Sequence, residues 1–218
     1  MSEQLPFNIF KLLSLVLAIA LVYLLIICHT SDNHSESQAP VLSHSQQVFT
    51  NIMNRKSVRH YTQQAVSKAQ IDTLLRAAMA APTAVNRQPW AFIVIDKVDV
   101  LKALAEQLPY AKMIDKAPVC IIVCGDLNKT FKSDGAVDYW AFDCSAATEN
   151  MLLQAEAMGL GAVWTALYPE NDRVQLVKKM LNIPDHLMPM AAVPIGYPSG
   201  HERPKNKYKV ENVFYNQF

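Results

Sequence analysis

Positions 55 to 59 read Arg55-Lys56-Ser57-Val58-Arg59. In an extended segment Arg55, Ser57 and Arg59 project on one side. Two guanidiniums and a hydroxyl make a cradle for an anion, because each guanidinium offers fixed, forked donors that match a phosphate. A solvated basic surface has the same composition, so this segment alone leaves both readings open. A second stretch, Pro82-Thr83-Ala84-Val85-Asn86-Arg87-Gln88-Pro89-Trp90, sets a hydroxyl and two carboxamides close together. Carboxamides donate and accept at once, as recognition of a flat heterocycle's edge requires. Asn and Gln also stabilise ordinary loops, and Trp90 reads as core.

The remaining sequence narrows the chemistry. The 218 residues contain only six glycines, in no G-x-G-x-x-G or G-x-x-x-x-G-K-[ST] arrangement, which excludes a dinucleotide fingerprint and a P-loop. The four cysteines form no C-x-x-C pair and no H-E-x-x-H occurs, so neither a metal site nor a disulfide framework is expected. Cys120 and Cys124 share one face of a strand, but four strand residues hold their Cα atoms roughly 13 Å apart, too far for a disulfide. A net charge of +1 argues against a partner bound through nucleic-acid phosphates.

Several elements must position these residues. Val48, Phe49, Ile52 and Met53 give a short helical stripe just before the basic segment. Ser67 and Gln70 read as a capping box, followed by Ile71, Leu74, Leu75 and Ala78 at helical spacing and a stop before Pro82. Helices are expected over 98–108, 142–158 and 171–181. Buried strands are expected over 91–95, 119–124, 162–165 and 190–195. Alternating helices and strands around one sheet give a single α+β or α/β domain. The tail 203–218 is basic, then aromatic, and suits docking on a partner subunit.

The N-terminus is a separate matter. Between positions 12 and 28 every residue but Ser14 is apolar, a run of roughly 25 Å as a helix, the short end of what crosses a bilayer. An anchor and a cleaved signal both fit. The run exceeds a signal core and no small-x-small site follows it, which favours the anchor. Lys11 precedes the run and the next Lys or Arg is Arg55, which directs the N-terminus to the cytoplasm and the remainder outside. Residues 29–47, rich in Ser, Gln and His, read as a flexible linker. The division is therefore 1–28 anchor or signal, 29–47 linker and 48–218 folded domain.

Taken together, R-x-S-x-R and the downstream P-[ST]-x-x-N-x-Q-P-W resemble the FMN-dependent nitroreductase family. The run 143–153 resembles its central helix, 159–164 the strand that follows, and Lys205 and Lys207 its basic C-terminal pair. Five ordered segments in one register carry the resemblance from about 48 to 218. It implies a three-layer α-β-α sandwich with a mixed, mainly antiparallel sheet and a C-terminal tail exchanged in a homodimer. Arg55, Lys56 and Ser57, with Lys205 or Lys207, would hold the FMN phosphate end. Arg59 would lie near the N1/C2 edge of the ring. Thr83, Asn86 and Gln88 would meet the pyrimidine edge or ribityl chain, and a backbone amide near Ala166 or Leu167 would face N5.

The flavin would lie at the subunit interface and supply the redox chemistry. NAD(P)H and a nitroaromatic, quinone or similar acceptor would use it in turn. Lys56 replaces a frequent second arginine, Ala166-Leu167 replaces a Glu-Gly found in some members, and Phe214 stands where related tails often have His. Residues 126–138 lie where the family often builds a substrate lid. Two other readings are an iodotyrosine-deiodinase-like reductive dehalogenase and a flavin-binding sensor without turnover. A domain outside the cytoplasm would also need a reductant other than soluble NAD(P)H.

Overall fold

The computed structural model describes residues 7–31, 42–133 and 138–218. Most of the expected linker, 32–41, and part of the expected lid, 134–137, lie outside the described residues. Two units are present, Met1–His44 and Ser45–Phe218. Of the first, the structure describes chiefly the helix α1 (Phe7–Ser31), in which Lys11 is the one Asp, Glu, Lys or Arg. Its segment Ile9–Ile27 has a mean hydropathy of 2.7 and no buried residue, and is long and apolar enough to cross a membrane. The Ser14 hydroxyl donates to the Lys11 carbonyl at 2.9 Å, which satisfies that hydroxyl within the apolar helix.

The second unit begins within α2 (His44–Asn54), so residues 44–47, assigned to the linker by composition, already belong to a helix. Helix α3 (Lys68–Met79) opens with the capping box read from the sequence: the Ser67 hydroxyl accepts from the Gln70 N–H, and the Gln70 side chain accepts from the Ser67 N–H. There follow β1 (Trp90–Ile95), α4 (Val98–Gln107), β2 (Val119–Asp126), α5 (Tyr139–Ala157), β3 (Gly161–Ala162), β4 (Thr165–Ala166), α6 (Asn171–Leu181) and β5 (Leu187–Gly196). Among the described residues, 3-10 turns at Ala84–Asn86 and Lys112–Lys116 lie in the connections and one at Val210–Asn212 in the tail.

The sheet runs β1-β2-β5-β3, with β4 also paired to β5, and every strand pair is antiparallel. A single parallel bridge from Ser57 to Ala162 makes it mixed. Strand β2 is buried along its whole length, and its alternate residues feed two cores. Val119, Ile121 and Val123 pack with Leu74, Ala78, Cys144, Ala147 and Met151 on the α3/α5 side. Cys120, Ile122 and Cys124 pack with Leu101, Leu104 and Val177 on the α4/α6 side. The result is the expected three-layer α-β-α sandwich.

Two prolines in β5 shape its neighbours. The strand expected over 162–165 is instead two short pieces in one register, Gly161 and Ala162 opposite Gly196 and Ile195, then Thr165 and Ala166 opposite Ala192 and Ala191. Pro194 lies opposite the gap and has no N–H to donate, so the ladder lapses there. Pro189 sits at a bulge against β2, where the register shifts between Val123 and Cys124. The Met190 carbonyl next to it accepts the N–H groups of Leu167 (2.9 Å) and Tyr168 (3.1 Å) instead. Helix α5 begins three residues earlier than its periodicity suggests.

Candidate functional site

Helix α2 stops at Asn54, and the chain beyond it lies along the edge of β3. The Val58 N–H donates to the Ala162 carbonyl at 3.0 Å, and Val58 is buried. Gly161 makes this possible, because a Cβ there would stand 2.5 Å from Val58 Cγ1 and 2.6 Å from Val58 Cβ. Tyr61 is also buried, and its hydroxyl lies 2.6 Å from the Val58 carbonyl. Burial pushes that phenol's pKa far above its ordinary value, so it stays a neutral donor.

The chain leaving β5 then runs back beside this segment. The Thr62 N–H donates to Tyr197 O at 2.8 Å, the Ser199 N–H donates to His60 O at 3.0 Å, and Tyr61 bridges Pro198. These contacts bring the basic tail to the basic segment. Arg55, Lys56, Ser57 and Arg59 line one cleft of about 370 Å³ together with Glu202, Arg203, Lys205 and Lys207. Its cations do not stand alike. The Arg55 Nε lies 3.4 Å from Glu149 Oε1, and the Lys56 ammonium lies 3.1 Å from both oxygens of Glu156. Both pairs dock the segment on α5. Arg59, Lys205 and Lys207 are exposed. Six cations around one carboxylate make a donor set suited to a phosphate group.

Arg59 and His60 also line a neighbouring cleft of about 500 Å³, with Lys102, Glu106, Lys112 and Lys116 along its other side. The phosphate-suited cleft thus has an adjoining space beyond Arg59. Lys112 carries no motif and lies on a 3-10 turn, so sequence reading passes over it.

Thr83, Asn86 and Gln88 are not among the residues lining either cleft. Their loop is nevertheless built to a specific shape. Val85, Asn86 and Gln88 hold φ of 45°, 55° and 51°, a region costly for residues other than glycine. The Thr83 hydroxyl accepts from the Gln88 N–H at 3.1 Å, and the Gln88 carboxamide donates to Asn86 Oδ1 at 2.9 Å. From α5, Asp143 Oδ1 accepts the Ala84 N–H at 2.9 Å. Asp143 is buried and its Oδ2 has no partner among the described residues. Burial raises this carboxyl above its ordinary value, and the Ala84 N–H only partly offsets that. Such strain, held in place from beneath, is characteristic of functional loops.

The last pair of expected residues divides. Leu167 is fully buried and its N–H is taken by Met190, whereas Ala166 is exposed. The Ala166 carbonyl accepts from Arg173 Nη1 at 3.3 Å, and that guanidinium sits 5.2 Å from the Tyr110 ring centroid. Of the expected amides, that of Leu167 is therefore already engaged.

The sequence profile of the Nitroreductase family matches residues 52–112 and 100–197. The chain belongs to that family. A relative from Methanothermobacter thermautotrophicus, provisionally named an NADH dehydrogenase/NAD(P)H nitroreductase, is 39% identical over 166 residues, 76% of this chain and 85% of the relative. A crystal structure of a protein with the same provisional name from Parabacteroides distasonis superimposes with a TM-score of 0.74 at 48% identity, over 79% of this chain and 99% of that one. A provisionally named nitroreductase from Desulfovibrio desulfuricans, solved in complex with FMN, gives a TM-score of 0.67 at 29% identity over 78% and 97%. As a nitroreductase-family chain it carries its R-x-S-x-R segment and its tail lysines in one cleft. Glu202, the one acid among that cleft's lining residues, carries no local sequence signal because its contacts lie more than 140 residues away.

Proposed function

We propose that the protein is an FMN-dependent NAD(P)H oxidoreductase that reduces a nitroaromatic, quinone or similar acceptor, held at a membrane by α1. The observation that carries this reading is the single cleft in which Arg55, Ser57 and Arg59 meet Lys205 and Lys207. Family membership, the FMN-bound relative and the NAD(P)H-linked names of others support it. When bound, FMN supplies the hydride and electron chemistry. The chain's own residues supply the rest. Arg55, Ser57, Lys205 and Lys207 hold the phosphate, with Lys56 and Arg55 fixed to α5 so that the cradle keeps its shape. Arg59, between the two clefts, sets positive charge where negative charge develops on reduction. Donor and acceptor take turns at the open space beyond it.

The loop carrying Thr83, Asn86 and Gln88 serves a second copy of the chain. This accounts for its shape without a place in either cleft. The tail supports the same homodimer: Phe214, Tyr215 and Phe218 are exposed, with the Phe214 and Phe218 rings stacked at 4.2 Å. A partner subunit would cover them.

The test is the visible spectrum of the purified chain before and after anaerobic NADH. The expected result is a yellow protein that bleaches. A yellow protein that does not bleach with NADH or NADPH would favour a sensor, and a colourless one that refuses FMN would end the reading. In the same assay, Arg55→Ala is expected to weaken FMN binding by about 1–3 kcal/mol, the scale of charge-assisted hydrogen bonds. Arg59→Ala is expected to slow bleaching more than it weakens retention. Identical affinity and bleaching rate in both variants would mean that the site lies elsewhere.

A further inference from the structure

Glu202 stands where a carboxylate should be unwelcome. It faces a cleft lined otherwise by Ser57 and six cations, and its charge opposes any anion entering there. Its contacts explain its presence. Glu202 Oε1 accepts the Arg59 N–H at 3.0 Å and lies 2.8 Å from His60 Nδ1. Burial by itself would raise this carboxyl, but those partners outweigh it and hold it down at about 2, so it stays ionised. Gly200 leaves the room it needs: a Cβ there would lie 2.4 Å from Glu202 Oε2. Among the described residues the Ser199–His60 bond is the last backbone bond between tail and segment, and Glu202 makes the next tie. Lys205 and Lys207 follow three and five residues later.

We infer that Glu202 is a positioning residue, a clasp that fastens the start of the tail to Arg59 and His60 and so presents Lys205 and Lys207 to the phosphate of the bound cofactor. The inference rests on the FMN reading above for its ligand, but the clasp itself is a contact within the chain. Its partners are backbone and imidazole rather than the lysines, so it gathers the cations without neutralising them. A glutamine in its place keeps an oxygen for the Arg59 N–H, whereas an alanine keeps nothing.

The experiment compares wild type, Glu202→Gln, Glu202→Ala and Gly200→Ala as full chains, titrated with FMN and with riboflavin, which lacks the phosphate. Glu202→Ala is expected to lose FMN affinity by about tenfold, the scale of hydrogen bonds to charged groups, with riboflavin affinity unchanged. Glu202→Gln is expected to restore most of the loss. Gly200→Ala, which displaces the carboxylate, is expected to fall between, and to add nothing to Glu202→Ala in the double variant. Equal losses for FMN and riboflavin, or FMN affinity that rises once the negative charge is gone, would overturn the clasp. Limited trypsin digestion separates this from failure of the flavin reading, since it needs no cofactor. Cleavage after Lys205 and Lys207 is expected to speed up in Glu202→Ala and not in Glu202→Gln. Unchanged cleavage would overturn the clasp even if wild type binds FMN, and faster cleavage would uphold it even if wild type does not.

Discussion

Asp143 brings a carboxylate into the interior with one oxygen bonded to Ala84 and the other unpartnered among the described residues. Its charge is not needed for that bond, because an amide oxygen accepts as well. With the folded-state pKa raised by burial, the ionised group weighs against the fold. The stability this group allows is fully present below the ordinary aspartate value and is lost as pH rises through the raised one. Asp143→Asn keeps the acceptor and removes the charge. The variant is expected to melt above wild type at neutral pH, with the gap closing below about pH 4, where an ordinary aspartate is also protonated. Thermal melts across that range decide it, and a gap that ignores pH would show that charge is not the cause.

At the scale of elements, Gly161 decides where the basic segment sits. The whole Val58 side chain occupies the space a Cβ would need, with Cγ2 at 2.8 Å as well. Gly161→Ala must therefore push the segment off β3 or distort the strand. It is expected to cost about 1–3 kcal/mol of stability, the range for overpacked cores. FMN affinity should fall too, because Ser57 and Arg59 flank Val58. Urea unfolding with parallel FMN titration checks both, and loss of stability with unaltered affinity would detach the segment from the cofactor site.

Sequence periodicity was informative where an element answers to its own residues. The Ser67 capping box, the α6 span and the buried apolar run of β2 are local patterns, and the structure keeps them. The split between β3 and β4 was illegible in residues 162–165 themselves, since its cause is Pro194 on the neighbouring strand. The site divides the same way. Arg55, Ser57 and Arg59 share one short segment and could be read as a cradle, whereas Glu202, Lys112 and the role of Asp143 depend on contacts between distant parts of the chain.

At the scale of the whole molecule, α1 and the folded unit make separate demands. The full chain is expected to stay with membranes through an alkaline carbonate wash, while a chain beginning at Ser45 is released. Recovery of both in the soluble fraction would remove the anchor. Use of soluble NAD(P)H further requires that protease added to intact cells leaves the folded unit uncut. Cleavage would place it outside, as the lone Lys11 suggests, and call for a different donor.

The folded unit is prepared for either side. Cys120, Cys124 and Cys144 are free and buried, and burial pushes each thiol up to about 12. Thiols so protonated and enclosed are poor nucleophiles, because the thiolate is the reactive form and burial limits access. No disulfide joins these three cysteines, so none of them is crosslinked to hold the fold. This core therefore makes little demand on the redox state of its compartment, and the supply of electrons weighs more than thiol chemistry in where the enzyme can work.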